Sequence, residues 1–234
     1  MKILIITYYR DNHAELAALT NKNKIDYCNY RNTLGHSYTF FPWEGFYKGV
    51  VEYAGYYKIK LMKYLLKNTN YDVIFYQDTD TLIMNFTIAI ESLFDEDHSF
   101  FPVLEQSNLI NAGNFILKNN DDGRKFIDFL DGEMIHWAKP VKNKFQEQGM
   151  LRYYCTQDEW KSIVKIMPQR AFNSYIPQGV LDCRGVTKGD IFQKGDFLLH
   201  FATHTLWGHN ILKKRIELVN YYQKDIIYSR KLFI

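Results

Sequence analysis

The stretch that decides the fold is Val73–Gln77, with the sequence VIFYQ, followed at once by Asp78-Thr79-Asp80. The run is short, mostly apolar and rich in β-branched and aromatic residues, which is typical of a buried strand in a parallel sheet. In open α/β sheets, ligands bind beyond the carboxyl ends of the strands. Two carboxylates at that end, Asp78 and Asp80, can bind one divalent cation, which commonly also takes oxygens from a substrate phosphate. The simpler alternative is a polar strand end that caps a turn.

The composition indicates one large domain over residues 1–234, because 47% of the residues are hydrophobic and 17% are aromatic. A net charge of +3 is too small to indicate a nucleic-acid partner. No apolar run is long enough to span a membrane, and Met1–Thr7 is too short for a signal peptide. The three cysteines, Cys28, Cys155 and Cys183, form neither a disulfide framework nor a zinc-binding spacing. We therefore expect a soluble, cytoplasmic protein.

Strands and helices are predicted to alternate along the chain. The first strand is expected at about 2–8, a helical segment at 14–19, and a turn-rich stretch at 21–24. Residues 56–67 form an amphipathic helix, because its apolar residues recur at helical spacing. Further predicted elements are strands at 99–103, 114–117 and 197–201, and helices at about 122–135, 147–154 and 211–228. This alternation predicts an α/β fold with a mostly parallel sheet flanked by helices.

Six short motifs, in this order, resemble those of the nucleotide-sugar glycosyltransferases with the GT-A fold, and most closely glycosyltransferase family 34. That family contains galactosyl-, xylosyl- and mannosyltransferases. The motifs are Asn23-Lys24-x-x-Tyr27, Lys58 at the start of its helix, Tyr76-Gln77-Asp78-Thr79-Asp80, Asn111-Ala112-Gly113-Asn114, Glu147-Gln148, and Phe172-Asn173-Ser174-Tyr175 with His200-Phe201. The resemblance covers roughly residues 1–205.

The resemblance implies a Rossmann-like GT-A domain that moves a sugar from a nucleoside-diphosphate donor, expected to be uridine-linked, to a hydroxyl of a glycan acceptor. It also implies retention of configuration, and hence an α-linkage. Asp78, Asp80 and His200 are the expected metal ligands. A set of two carboxylates and one imidazole favours Mn²⁺, with Mg²⁺ as the other candidate.

The same resemblance assigns the other site residues. Glu147 and Gln148 are the expected catalytic pair, since a carboxylate or amide beneath the anomeric carbon can stabilise the positive charge that develops there. The expected donor contacts are Thr7, Tyr8, Tyr9, Lys58, Gln77, Asp78, Thr79, Asn111, Ala112, Gly113 and His204. The family has glycine and a nearby lysine after its histidine, whereas this chain has Ala202-Thr203-His204. His204, His209 or Lys213 is expected to supply the missing contact to the diphosphate.

The C-terminal stretch at about 211–228 is helical and basic, and it is a candidate for peripheral contact with an anionic membrane. Its more common role would be to dock on the domain. Two other functions fit parts of the sequence. A haloacid-dehalogenase-type phosphohydrolase would use Asp78 as its nucleophile, but Leu82 stands where that pattern has Thr or Val. A glycan-binding subunit without turnover would keep the fold alone.

Overall fold

The computed structural model of the chain describes residues 1–9, 11–45, 54–105, 108–137, 146–176, 191–202 and 211–228. Eight strands lie within these ranges: β1 (Lys2–Tyr9), β2 (Ser37–Glu44), β3 (Val73–Gln77), β4 (Thr81–Ile83), β5 (Phe100–Leu104), β6 (Ile110–Lys118), β7 (Ser174–Tyr175) and β8 (Leu198–His200). The α-helices in the same ranges are α1 (Ala14–Thr33), α2 (Ala54–Asn68), α3 (Asp121–Trp137), α4 (Gln146–Tyr154), α5 (Gln169–Phe172) and α6 (Ile211–Tyr222). None of these helices is both long and apolar enough to cross a bilayer.

The main sheet has five strands in the order β2-β1-β3-β6-β5. β1 pairs in parallel with β2 and β3, whereas β6 is antiparallel to both β3 and β5. Four strands therefore point the same way and β6 alone is reversed. The connection from β5 to β6 spans only residues 105–109, which is too short for a parallel crossover. The predicted α/β class with a mostly parallel sheet is confirmed.

Both faces of the main sheet are buried, which explains the apolar character of its central strands. Side chains of β1 alternate: Leu4 and Ile6 pack beneath α2, α3 and α4, whereas Ile3 and Ile5 pack against α1. All five residues of β3 are buried. The apolar face predicted for α2 is also confirmed, because Ile59, Met62, Leu65 and Leu66 are buried in the first of these clusters.

A second sheet of three strands, in the order β4-β8-β7, brings the end of the chain back to the turn after β3. β4 and β8 are antiparallel, and their register pairs Thr81 with His200. The backbone amide of Phe201 donates to the carbonyl of Asp80 over 2.8 Å. A residue far along the chain is thereby fixed beside the Asp-Thr-Asp turn.

The turn predicted at 21–24 is wrong, because α1 runs without a break from Ala14 to Thr33. Two of the polar residues that suggested a turn, Asn23 and Lys24, are buried and bonded to β4. The Asn23 amide donates to the carbonyl of Ile83 (3.0 Å) and accepts from its backbone N–H (2.8 Å), and Lys24 Nζ donates to the carbonyl of Thr81 (3.1 Å). These tertiary hydrogen bonds outweigh the weak local preference of Asn for turns. The predicted helix at 211–228 is shorter than expected, since α6 ends at Tyr222 and a 3₁₀ turn follows at Gln223–Asp225.

Lys24 makes the stability of the fold sensitive to pH. Burial lowers the pKa of this amine to about 7, far below its usual value in an unfolded chain. Between pH 7 and about 10 the unfolded state therefore binds more protons than the folded state, so stability rises with pH. We expect Lys24→Met to remove a rise in the free energy of unfolding on the order of 1–3 kcal/mol between pH 7 and 9.5.

Urea unfolding of the wild type and of Lys24→Met at several pH values measures this difference. Lys22→Met is the matched control, since Lys22 is an exposed lysine of the same helix paired with Asp26. Parallel pH profiles for all three proteins would contradict the prediction.

Candidate active site

The metal-binding residues predicted from the sequence lie together at the carboxyl end of β3. Asp78 and Asp80 occupy the turn between β3 and β4, and His200 ends the neighbouring strand β8. One ligand atom from each residue lies within 4.8 Å of the other two. A cluster of this composition and size suits one divalent ion.

His200 is held so that one ring nitrogen faces the carboxylates. Its Nδ1 lies 2.7 Å from Asn173 Oδ1, and its Nε2 lies 3.4 Å from Asp80 Oδ1. The Asn173 amide is oriented by its own donors, because Nδ2 donates to the carbonyl of Leu104 over 2.8 Å. The hydrogen-bond network therefore assigns the ring proton to Nδ1, which leaves the lone pair of Nε2 for a metal ion.

Asp80 is buried and paired with a cation from α6. Arg215 Nη2 lies 2.7 Å from Asp80 Oδ2. Burial alone would raise the pKa of Asp80, but the Arg215 guanidinium holds it below its usual range. The carboxylate is therefore ionised at neutral pH, as a metal ligand must be.

Asp78 belongs to a second group of charges centred on Lys58. Lys58 Nζ lies 3.4 Å from Asp78 Oδ1 and 3.1 Å from Glu147 Oε1, and it donates to the carbonyl of Ala112 over 2.9 Å. Although burial opposes the charged form, Asp78 and Glu147 raise the pKa of Lys58, so the amine is a permanent cation. Desolvation raises the pKa of Asp78, and Lys58 opposes that shift.

Two glycines provide the space in which these groups meet. A Cβ on Gly113 would lie 2.5 Å from Asp78 Oδ2, 2.8 Å from Asn111 Oδ1 and 3.0 Å from His200 Cε1. A Cβ on Gly55 would overlap the carboxylate of Glu147. Any larger residue at either position would displace a predicted site residue.

The predicted catalytic pair, Glu147 and Gln148, lies in the first turn of α4 and faces the start of β6. Gln148 Oε1 accepts from the backbone N–H of Ala112 over 3.1 Å, and Glu147 is held by Lys58. Thr79 joins the aspartate turn to β1, because its hydroxyl donates to the carbonyl of Tyr8 over 3.1 Å. These bonds fix the positions of the side chains before any ligand binds.

A cavity of about 400 Å³ opens above this cluster. It is lined by most of the predicted site residues, namely Tyr8, Tyr9, Lys58, Asp78, Thr79, Asp80, Asn111, Glu147, Gln148 and His200. Ala112 does not line the cavity, but its backbone N–H and carbonyl bind Gln148 and Lys58, which do. Gly113 leaves the space that Asp78 and His200 occupy. Thr7 and Gln77 do not line it: both are fully buried, and the Thr7 hydroxyl and the Gln77 amide have no hydrogen-bond partner in the described part of the chain. His204 and His209 lie outside the described residues.

The sequence analysis missed Arg215 as a site residue. Arg215 stands in the basic run Lys213-Lys214-Arg215, which suggested an exposed or membrane-facing surface, yet only 7% of its surface is exposed. The signal was present in the spacing, since Arg215 precedes the buried Leu218 and Val219 by three and four residues on the same helix. A long cation on the apolar face of a helix indicates a buried acidic partner.

The structure resembles known glycosyltransferases over nearly its whole length. A glycosyltransferase involved in the glycosylation of the major capsid of PBCV-1 superposes with a TM-score of 0.68 at 13% identity, covering 94% of this chain and 100% of that one. The galactosyltransferase LgtC, in complex with donor and acceptor sugar analogues, gives a TM-score of 0.57 at 15% identity, with 97% and 98% of the two chains covered. These likenesses show the fold, and the predicted GT-A architecture is confirmed.

Relatives by sequence lead to the same group. An uncharacterised alpha-1,2-galactosyltransferase of Schizosaccharomyces pombe is 26% identical over 135 residues, which are 56% of this chain and 36% of that protein. The chain thus spans only about a third of that relative's length. The profile of the galactosyl transferase GMA12/MNN10 family, glycosyltransferase family 34, matches residues 57–205. This match decides against the phosphohydrolase alternative. Because it covers more than half of the sequence, the chain belongs to the galactosyl transferase GMA12/MNN10 family.

Proposed function

We propose that the protein is a metal-dependent glycosyltransferase that moves a sugar from a uridine-diphosphate donor to a hydroxyl of a glycan, with retention of configuration. The convergence of Asp78, Asp80 and His200 on one side of a cavity carries this proposal. The names of the S. pombe relative and of LgtC make UDP-galactose the first donor to test.

The charges of the described site residues favour a cation and a diphosphate bound together. Asp78, Asp80 and Glu147 are three carboxylates, whereas Lys58 and Arg215 supply two positive charges. The site therefore carries one net negative charge when His200 is neutral. A divalent ion converts this to a net positive charge, which then attracts the diphosphate of the donor.

The donor set fits such an ion, and the three side chains would hold it. Mn²⁺ is preferred over Mg²⁺ because one of the ligands is an imidazole. When bound, the ion would offset the negative charge that grows on the leaving diphosphate. Tyr8 and Tyr9, at the end of β1, line the part of the cavity proposed for the nucleoside. Thr7 and Gln77 are better explained as supports of the sheet than as donor contacts, because both are buried.

Glu147 and Gln148 are proposed to lie beneath the donor sugar. The bond between the anomeric carbon and the diphosphate oxygen breaks, and positive charge develops on the sugar ring. Lys58 and Ala112 hold the two side chains in place, so their oxygens need little rearrangement to stabilise that charge. The acceptor hydroxyl is placed against the anomeric carbon on the leaving-group face, and proximity supplies much of the rate.

Peripheral membrane contact through α6 stays a prediction carried by Lys213 and Lys214 alone.

The first test of the function is metal-dependent turnover. We expect UDP release from UDP-galactose with Mn²⁺, none in excess chelator, and recovery on adding Mn²⁺ back. Asp80→Asn should lower turnover about 100-fold or more, because a metal ligand contributes several kcal/mol of transition-state stabilisation. Asp97→Asn, at an exposed aspartate outside the site, is the control. Full activity in chelator would contradict the proposal, and sugar binding without turnover for a full panel of donors would favour the glycan-binding alternative.

The space at Gly113 gives a second test. Gly113→Ala should lower turnover by about 10- to 100-fold, because the added methyl group displaces Asp78 or His200 by a few tenths of an ångström or more. Gly132→Ala is the matched control: Gly132 lies in α3, and a Cβ there meets nothing within 4 Å. Turnover assays with thermal melts compare the two variants. Equal activity of both at similar melting temperatures would show that the cleft beside Gly113 is not the active site.

Gln148 separates sugar transfer from diphosphate binding. Gln148→Ala should slow transfer about 100-fold while leaving UDP affinity nearly unchanged, because its oxygen is proposed to act mainly in the transition state. Calorimetry with UDP and Mn²⁺ measures binding, and a labelled donor measures turnover. Gln157→Ala, at a half-buried glutamine that follows α4 and lies outside the site, is the control. A parallel loss of affinity and turnover would place Gln148 against the diphosphate instead.

A further inference from the structure

Arg215 closes a small ring of contacts around the Asp80 carboxylate. Its Nη2 lies 2.7 Å from Asp80 Oδ2, and its Nε donates to the carbonyl of Phe201 over 2.9 Å. The N–H of Phe201 in turn donates to the carbonyl of Asp80 over 2.8 Å. Arg215 thus holds the side chain of Asp80, and Phe201, which Arg215 also contacts, holds the backbone of Asp80.

We propose that Arg215 is a positioning residue of the metal site: it holds Asp80 Oδ2 so that only Oδ1, beside His200, is presented to the ion, and it links the docking of α6 to metal binding. The inference rests on the proposed function, since it assumes that Asp78, Asp80 and His200 bind a metal ion.

The contacts of Arg215 restrict the carboxylate more than a simple ion pair would. A guanidinium is planar and presents its donors in a fixed fork, so two acceptors on different groups define its orientation. Arg215, Asp80 and Phe201 are all buried, and a charge that turned outward to water would lose the 2.7 Å contact between Arg215 and Asp80. Asp80 therefore has one oxygen committed to Arg215 before any ion binds. His200 Nε2 lies 3.4 Å from the other oxygen, Oδ1.

The position of Arg215 on α6 makes the link to the helix. Leu218 and Val219 of α6 pack with Leu16, Leu82 and Phe201. Phe201 therefore contacts both the backbone of Asp80 and the apolar face of α6, and it connects the two. A ligand that orders Asp80 should then also stabilise the docked helix, since coupling between two sites is reciprocal.

A direct contact between Arg215 and the donor diphosphate is the competing role, because Arg215 also lines the cavity. The two roles differ in what happens without nucleotide. A positioning residue affects the binding of Mn²⁺ alone, whereas a residue that only contacts the diphosphate affects UDP affinity and leaves Mn²⁺ affinity unchanged.

The test is titration of the full chain with Mn²⁺ alone, followed by the loss of the free-ion electron paramagnetic resonance signal. We expect Arg215→Gln to bind Mn²⁺ about 10- to 100-fold more weakly than the wild type, as is usual when a residue that orients a metal ligand is removed. Lys214→Gln is the matched control: it removes the same charge from the neighbouring residue, which is 52% exposed and pairs only with Glu217 among the described residues. Arg215→Lys keeps the charge but loses the fork, so its affinity should be intermediate.

Hydrogen exchange of α6 gives an independent readout. Mn²⁺ should slow amide exchange in α6 of the wild type and of Lys214→Gln, but not of Arg215→Lys. If Arg215→Gln does not fold, Arg215→Lys decides the question by both measurements. Wild-type Mn²⁺ affinity in Arg215→Lys, together with a slowing of α6 exchange by Mn²⁺ equal to that in the wild type, would overturn the role of Arg215 while leaving the proposed function intact. A wild-type protein that binds no Mn²⁺ would overturn both.

Discussion

Two aspartates placed at the centre of an apolar fold are the constraint on which this structure depends. Asp78 and Asp80 follow a strand whose five residues are all buried, and apolar β4 comes directly after them. Ionised carboxylates in such surroundings are costly unless cations and hydrogen bonds compensate them. The protein supplies that compensation from segments that are far apart in sequence.

Each compensating group arrives on a different secondary-structure element. Lys58 comes from α2 and contacts Asp78, and Arg215 comes from α6 and contacts Asp80. His200 comes from β8, and its Nε2 faces Asp80. The three-stranded sheet brings His200 to this point, because its register pairs Thr81 with His200. The same contacts that make the site also hold the second half of the chain against the first.

The sequence predicts what depends on local pattern and misses what depends on distant partners. The strand before Asp78, the amphipathic α2 and the order of the family motifs could be read directly from the residues. The continuous α1 could not, because Asn23 favours a turn until β4 supplies its partners. Arg215 also depends on a distant partner: its spacing to Leu218 and Val219 indicates a buried side chain, but only the tertiary fold shows that the carboxylate it binds belongs to Asp80. Thr7 lies near the carboxyl end of β1, but its side chain is fully buried and does not line the cavity.

The remaining net charge of the site suggests an order of binding. Among the described site residues, three carboxylates face two permanent cations when no metal ion is bound, so a diphosphate would meet a cluster of its own sign there. A divalent ion reverses that sign, and its ligand atoms are already gathered within 4.8 Å of one another. In the proposed function, little reorganisation opposes ion binding, and a bound ion would favour the diphosphate of the donor. Lys58 and Arg215 are thus sufficient to make two aspartates tolerable in the fold, whereas the proposed divalent ion would supply the further positive charge that attracts the diphosphate to the described site residues.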